Sequence, residues 1–141
     1  MKRKVILIGS LVFLFALSAC AGLPGRSEDD LNGTSWTLES YGGESLIHET
    51  AMTADFSSGE VRGSASCNQY FGAYKVNGDR ITLEGLGWTE MACLNPEGIM
   101  EQEMAIMTML GKAVSYQIEG GKLRLQVEGG EELVFLPIEE E

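Results

Sequence analysis

The chain has 141 residues, with 21 acidic and 10 basic side chains, 18 glycines and three cysteines. Once a leader is removed, about 110 residues remain beyond a short tether, enough for one core and not for two. Without Lys2, Arg3 and Lys4, seven basic residues face 21 acidic ones, a net charge of −14 with no Lys/Arg cluster, which argues against nucleic-acid binding and against attraction to anionic headgroups.

Lys2, Arg3 and Lys4 precede an apolar run from Val5 to Leu17, broken only by Gly9 and Ser10. The run has the length of a signal-peptide core and is short for the roughly 30 Å of hydrocarbon that a spanning helix must cross. Leu17-Ser18-Ala19 leads directly into Cys20, which resembles the lipobox of bacterial lipoproteins. The resemblance implies cleavage before Cys20, a diacylglyceryl group on its sulfur and acylation of the new amine. The alternative is an ordinary signal peptide or an N-terminal anchor helix. Each buried methylene of an acyl chain contributes about 0.8 kcal/mol, so two or three chains hold durably where one does not.

The expected division is therefore a leader over 1–19, a lipidated Cys20 with a flexible tether over 20–30, and a folded domain over 31–141. The tether "AGLPGRSEDD" has no apolar period and reaches at most roughly 35 Å. Ala21 stands where the sorting rule uses aspartate to retain lipoproteins at an inner membrane. The expected address is the cell envelope: the outer membrane facing the periplasm in a two-membrane cell, otherwise the outer face of the cytoplasmic membrane.

With Cys20 lipidated, Cys67 and Cys93 remain. An even pair in an oxidising compartment points to a disulfide, and two buried free thiols are the rival. One histidine far from both cysteines does not complete a metal-ligand set, so no metal is expected.

The elements run in chain order as short period-two stretches. "TSWTLESY" puts Trp36 and Leu38 on one face; "AMTADF" aligns Met52, Ala54 and Phe56. "EVRGSAS" and "YFGAYKV" follow, and Asn77-Gly78 is a strong hairpin signal. "DRITLEG" returns with Ile81 and Leu83 aligned. Later, "AVSYQIE" aligns Val114, Tyr116 and Ile118, "KLRLQVE" aligns Leu123, Leu125 and Val127, and "ELVFLPI" closes the chain, with Gly-Gly turns between them. About seven or eight strands at such spacing predict a meandering antiparallel sheet or barrel. From Pro96 to Lys112 the period changes to a helical one, with Met100, Met104, Met107 and Leu110 or Gly111 on the expected buried face and Asn95 as a candidate cap. A methionine-rich partner or lipid surface is the competing reading of that face.

Together these segments resemble the META domain, the HslJ-like family of heat-shock-associated lipoproteins. The likeness rests on "LNGTSWTLESYGG", on Gly63, Cys67, Asn68, Phe71 and Gly72 in "GSASCNQYFGAY", and on Thr89, Met91 and Cys93 before Pro96. It covers essentially the whole domain. It implies a mainly β fold, a cracked, lipocalin-like barrel with one helix. It also implies ties to heat shock and antibiotic tolerance, and brings no catalytic activity. Gly63, Asn68, Phe71, Gly72, Thr89 and Met91 are expected to serve structure, with "SCN" and "MAC" meeting as one clasp.

No catalytic constellation is legible. His48 sits in the loop "ESLIHET", and "HET" lacks the second histidine of a zinc helix. Glu101 and Glu103 do not face one another on a helix. The expectation is a non-catalytic, membrane-anchored binding or stress-response module without cofactor or nucleic acid. An envelope protein or an apolar small ligand would be its partner; the alternatives are an inhibitor or chaperone-like role and a small lipid carrier.

The lipobox reading makes a direct prediction. Mass spectrometry of the mature protein should find an acylated Cys20 at the N-terminus, and Cys20→Ser should move the protein from the membrane to the soluble fraction. A Cys20→Ser protein that still partitions with membranes would show the anchor lies elsewhere.

Overall fold

The computed structural model describes residues 29–139; the leader, Cys20 and the tether up to Glu28 lie outside the described residues. The period-two stretches become strands β1 (Thr34–Tyr41), β2 (Glu44–Ser45), β3 (Thr53–Ser57), β4 (Glu60–Ser64), β5 (Gln69–Asn77) and β6 (Arg80–Trp88). Helix α1 (Ile99–Leu110) follows, then β7 (Ala113–Glu119), β8 (Lys122–Val127) and β9 (Glu132–Pro137). Eight of these strands close into an antiparallel barrel. β1 pairs β3 through Thr34–Thr37 and β9 through Trp36–Tyr41, while β3 to β9 neighbour one another in chain order. β2 adds two residues beside the end of β1. Closure leaves the barrel strands without a free edge along the paired stretches. Its weakest seam lies between β6 and β7, paired at Arg80 and Ser115, with the Tyr116 N–H donating to Asp79 O at 2.8 Å.

Eight strands enclose a space just wide enough for side chains. Here Met52, Phe56, Tyr70, Leu125 and Phe135 fill it, and Phe56 meets Tyr74 edge to face with ring centroids 5.0 Å apart. The Tyr70 hydroxyl donates to Thr53 O at 2.8 Å, and burial pushes its pKa well above the ordinary phenol value. Tyr74 is raised by burial and then by Asp29, whose carboxylate accepts its hydroxyl at 2.6 Å. Both phenols are therefore fixed neutral donors.

Three details depart from the sequence reading. The β5–β6 hairpin forms, but Asn77 pairs Arg80, so the two central turn residues are Gly78 and Asp79. Gly78 has φ 64, and glycine at the first central position is the pattern of a type II′ turn rather than the Asn-Gly type I′ turn. In β7 the pairing slips between Ala113 and Ser115. That bulge turns Val114 outward and buries Ala113; of the expected trio Val114, Tyr116 and Ile118, Tyr116 is in the core, while Ile118, next to the end of the strand, is exposed.

The third concerns the helix. It begins at Ile99 rather than Pro96, with Gly98 at the N-cap position and no side-chain cap, so Asn95 does not cap it. Its buried residues are Ile99, Gln102, Glu103, Ile106, Met107, Met109 and Leu110, and they join the barrel core. Met104 is exposed. At 100° per residue it stands about 140° from the line through Ile99, Ile106 and Leu110, on the far side of the helix. Met107 and Leu110 are buried as expected, but the expectation that Met104 is core is wrong, because the buried stripe is centred on Ile99, Glu103, Ile106 and Leu110.

This phase predicts opposite outcomes for two aspartate substitutions. Ile106→Asp should destabilise the domain by about 4 kcal/mol or more, an unpaired charge in an apolar site. Met104→Asp should stay within about 0.5 kcal/mol of wild type in urea unfolding, and equal losses for the two would show the helix is rotated from this position.

Candidate functional site

The chain reverses at Ala65–Cys67 between β4 and β5. Ser66 has φ 96, which aims the N–H groups of Cys67 and Asn68 at one point. There the carboxylate of Glu103 accepts both, at 3.1 and 2.8 Å through Oε2, and accepts Asn68 Nδ2–H at 2.6 Å through Oε1. Glu103 and Asn68 are 3% and 1% exposed. Three donors and no acceptor meet the carboxylate, an arrangement of convergent backbone amides that suits an anion in a low-dielectric setting.

Asn68 then passes the connection on. Its Oδ1 accepts Met91 N–H at 2.7 Å and the Thr89 hydroxyl at 2.8 Å, and its Nδ2 donates to Met91 O at 3.2 Å. The amide pairs with the Met91 backbone as a neighbouring strand would, and all four of its bonding positions are used. Thr89 closes the circle: its hydroxyl accepts Gln69 N–H at 3.1 Å and its N–H donates to Gln69 O at 3.0 Å. Cys67 and Cys93 form the disulfide, Cα atoms 6.0 Å apart, which settles the choice between bridge and free thiols. Closing that loop stabilises the fold by roughly 3 kcal/mol in the chain-entropy model. The two signature segments do meet as one clasp.

Glycines set the approach distances. A Cβ on Gly63 would lie 2.0 Å from Thr53 O, so only glycine lets β4 pass β3 there. A Cβ on Gly72 would meet Leu86 Cδ2 at 2.8 Å, where the β5–β6 pairing slips between Phe71 and Ala73. Phe71 stands apart from the clasp. It is exposed on the outer face, beside Arg62 across the strand pair, in a trough of about 810 Å³, with its ring over the Gly87 backbone.

Glu103 and Gln102 escaped the sequence reading. Gln102 Oε1 accepts Ile47 N–H at 2.7 Å and its Nε2 donates to Thr50 Oγ1 at 2.9 Å, holding the loop that carries His48. The available signal was phase: Glu103 sits at i+4 from Ile99, with Ile106 and Leu110 continuing the same face. His48 is exposed, both Cys67 and Cys93 sulfurs are bonded, and no group of three potential metal ligands occurs among the described residues.

Over the clasp the surface is apolar. Trp88, Met91 and Met104 are exposed around a notch of about 240 Å³, with Met100 and Met107 also on its wall, and Leu94 is exposed further along the same loop. The segment that carries Met91 and Leu94 is pinned by Asn68 on one side and the disulfide on the other.

A closed eight-stranded antiparallel barrel, with one helix between its β6 and β7 strands and a disulfide clasp, defines the class. The META domain model matches residues 29–140, and the chain belongs to the META domain family. Among solved structures, the NMR structure of a protein from Burkholderia xenovorans is 24% identical with a TM-score of 0.64, covering 78% of this chain and 85% of that one. A second protein, also solved by NMR, is 25% identical with a TM-score of 0.61, over 75% and 90% of the two chains. A DUF4847 family protein from Bacteroides vulgatus shares the fold at 13% identity, TM-score 0.57, over 79% and 97%. A search of curated proteins found no significant match.

Truncating the hub should be costly. Asn68→Ala strands the Met91 N–H and C=O and takes a donor from a buried carboxylate. The expected loss is about 3 kcal/mol in chemical unfolding, with faster exchange at the Met91 amide. A loss under about 0.5 kcal/mol would show that the disulfide alone holds the clasp.

Proposed function

We propose that the chain is a lipid-anchored cell-envelope module that acts by binding a protein partner, not by catalysis. The observation that carries this is the exposed apolar surface of Trp88, Met91, Leu94 and Met104 on a rigidly clasped loop and an adjacent helix. Large exposed apolar side chains on a fixed framework mark interaction sites, because a monomer gains nothing by keeping them wet. The barrel interior is filled by its own side chains, which favours this surface over an internal lipid cavity. Anchoring through Cys20 would hold that surface near the membrane, where an envelope-stress or inhibitory role is played out.

The reading is tested by capture. The immobilised domain should retain one or a few envelope proteins that a Met91→Ser/Leu94→Ser/Met104→Ser variant, with unchanged melting temperature, does not. Identical retention by both would remove the surface from the function.

A further inference from the structure

The notch over the clasp has a distinctive electrostatic setting. From Ile81 to Gly111 the chain carries Glu84, Glu90, Glu97, Glu101 and Glu103 and no Lys or Arg. Glu103 is internal to the clasp; Glu90, Glu97 and Glu101 are exposed. Glu90 lines the notch itself, and Glu101 lines the adjoining helix face beside Met104. Four of the six basic residues in the described region, Arg62, Lys75, Lys122 and Arg124, are already paired with acids on strands. The rim is acidic and has no basic residue in this segment to neutralise it.

Size narrows the occupant. Small-molecule sites run to roughly 300–1,000 Å³, above the notch volume, so it suits an inserted side chain of a larger partner. The apolar area extends beyond it, with Trp88 39%, Met91 54%, Met104 57% and Leu94 84% exposed. Methionines on such a surface adapt to varied apolar side chains. Charge narrows it again. A second copy of this chain would bring the same acids, and an anionic bilayer would be repelled.

We propose that this surface docks a cationic amphipathic segment of a partner protein. A large apolar side chain fills the notch between Met91 and Met104, and flanking Lys or Arg side chains meet Glu90 and Glu101. The proposal rests on the reading of the chain as a protein-binding module and supplies the partner's chemistry. The rim charges speed encounter and select the sign of the partner, while the notch supplies the anchor.

The test uses the soluble domain and three short peptides: an amphipathic Leu/Lys helix, the same composition scrambled, and a Leu/Glu counterpart. Titration of the Leu/Lys helix should shift amide resonances of residues 88–104 and quench Trp88. Met91→Ser/Met104→Ser should weaken it at least about tenfold with an unchanged melting temperature. Glu90→Gln/Glu101→Gln should weaken it less and flatten its salt dependence. Equal binding of the scrambled peptide would show charge alone at work and overturn the docking. Equal binding of the Leu/Glu peptide, or patch-dependent envelope capture with no binding of any peptide, would overturn the cationic class while leaving the binding-module reading in place. Patch-dependent binding to phosphatidylcholine vesicles instead would overturn it in favour of a membrane surface. Loss of both peptide binding and envelope capture would remove the proposal and the reading together.

Discussion

The buried carboxylate of Glu103 is the constraint from which the rest of this structure can be followed. A carboxylate out of water must be given donors, and no basic side chain supplies them here. The donors are the Cys67 and Asn68 backbone amides and the Asn68 side chain, so the β4–β5 reversal has to stand beside the helix. Asn68 in turn has to face the Met91 backbone, which fixes the following loop. The disulfide closes a geometry that the carboxylate has already specified. Helix phase, loop position and bridge are one linked arrangement.

The closed barrel has a different effect. Eight strands leave room for side chains and little else, and Phe56, Tyr70 and Phe135 occupy it. A fold that in larger barrels carries ligands inside is here a scaffold. The surface proposed for binding lies outside, where the loop after β6 and the free face of α1 are next to each other. The clasp holds the backbone beneath that surface in place, and a binding face of the kind proposed would gain from such preorganisation.

Much of the architecture was legible because period-two patterning and turn residues act locally. The strands containing Trp36, Phe56, Ile81 and Leu125 lie where alternation put them, since every second residue of a half-buried strand faces inward. The misreadings share a cause. A bulge at Val114 reverses the alternation, and nothing in "AVSYQIE" announces it because pairing with β8 decides it. The turn at Gly78 moved by one residue because register across β5 and β6, and not the Asn-Gly dipeptide alone, set the two central positions. The helix was misphased in part: Met107 and Leu110 are buried as the methionine stripe implied, but Met104 is not, and the true stripe takes in the polar Gln102 and Glu103.

By itself the sequence determined the class of fold, the approximate place of each element and the pair of cysteines, Cys67 and Cys93, that bridge. These follow from period, turn chemistry and composition, which need no knowledge of neighbours. Only the tertiary structure decided that Glu103 and Gln102 face inward, that Asn68 uses every one of its hydrogen-bonding positions, and that Met104 with Met91 remains outside. Whether a glutamate lies in water or in the core depends on donors more than thirty residues away in the chain. A periodicity scores such a residue as surface, and only the fold that brings the amides of Cys67 and Asn68 to it makes burial the lower-energy choice.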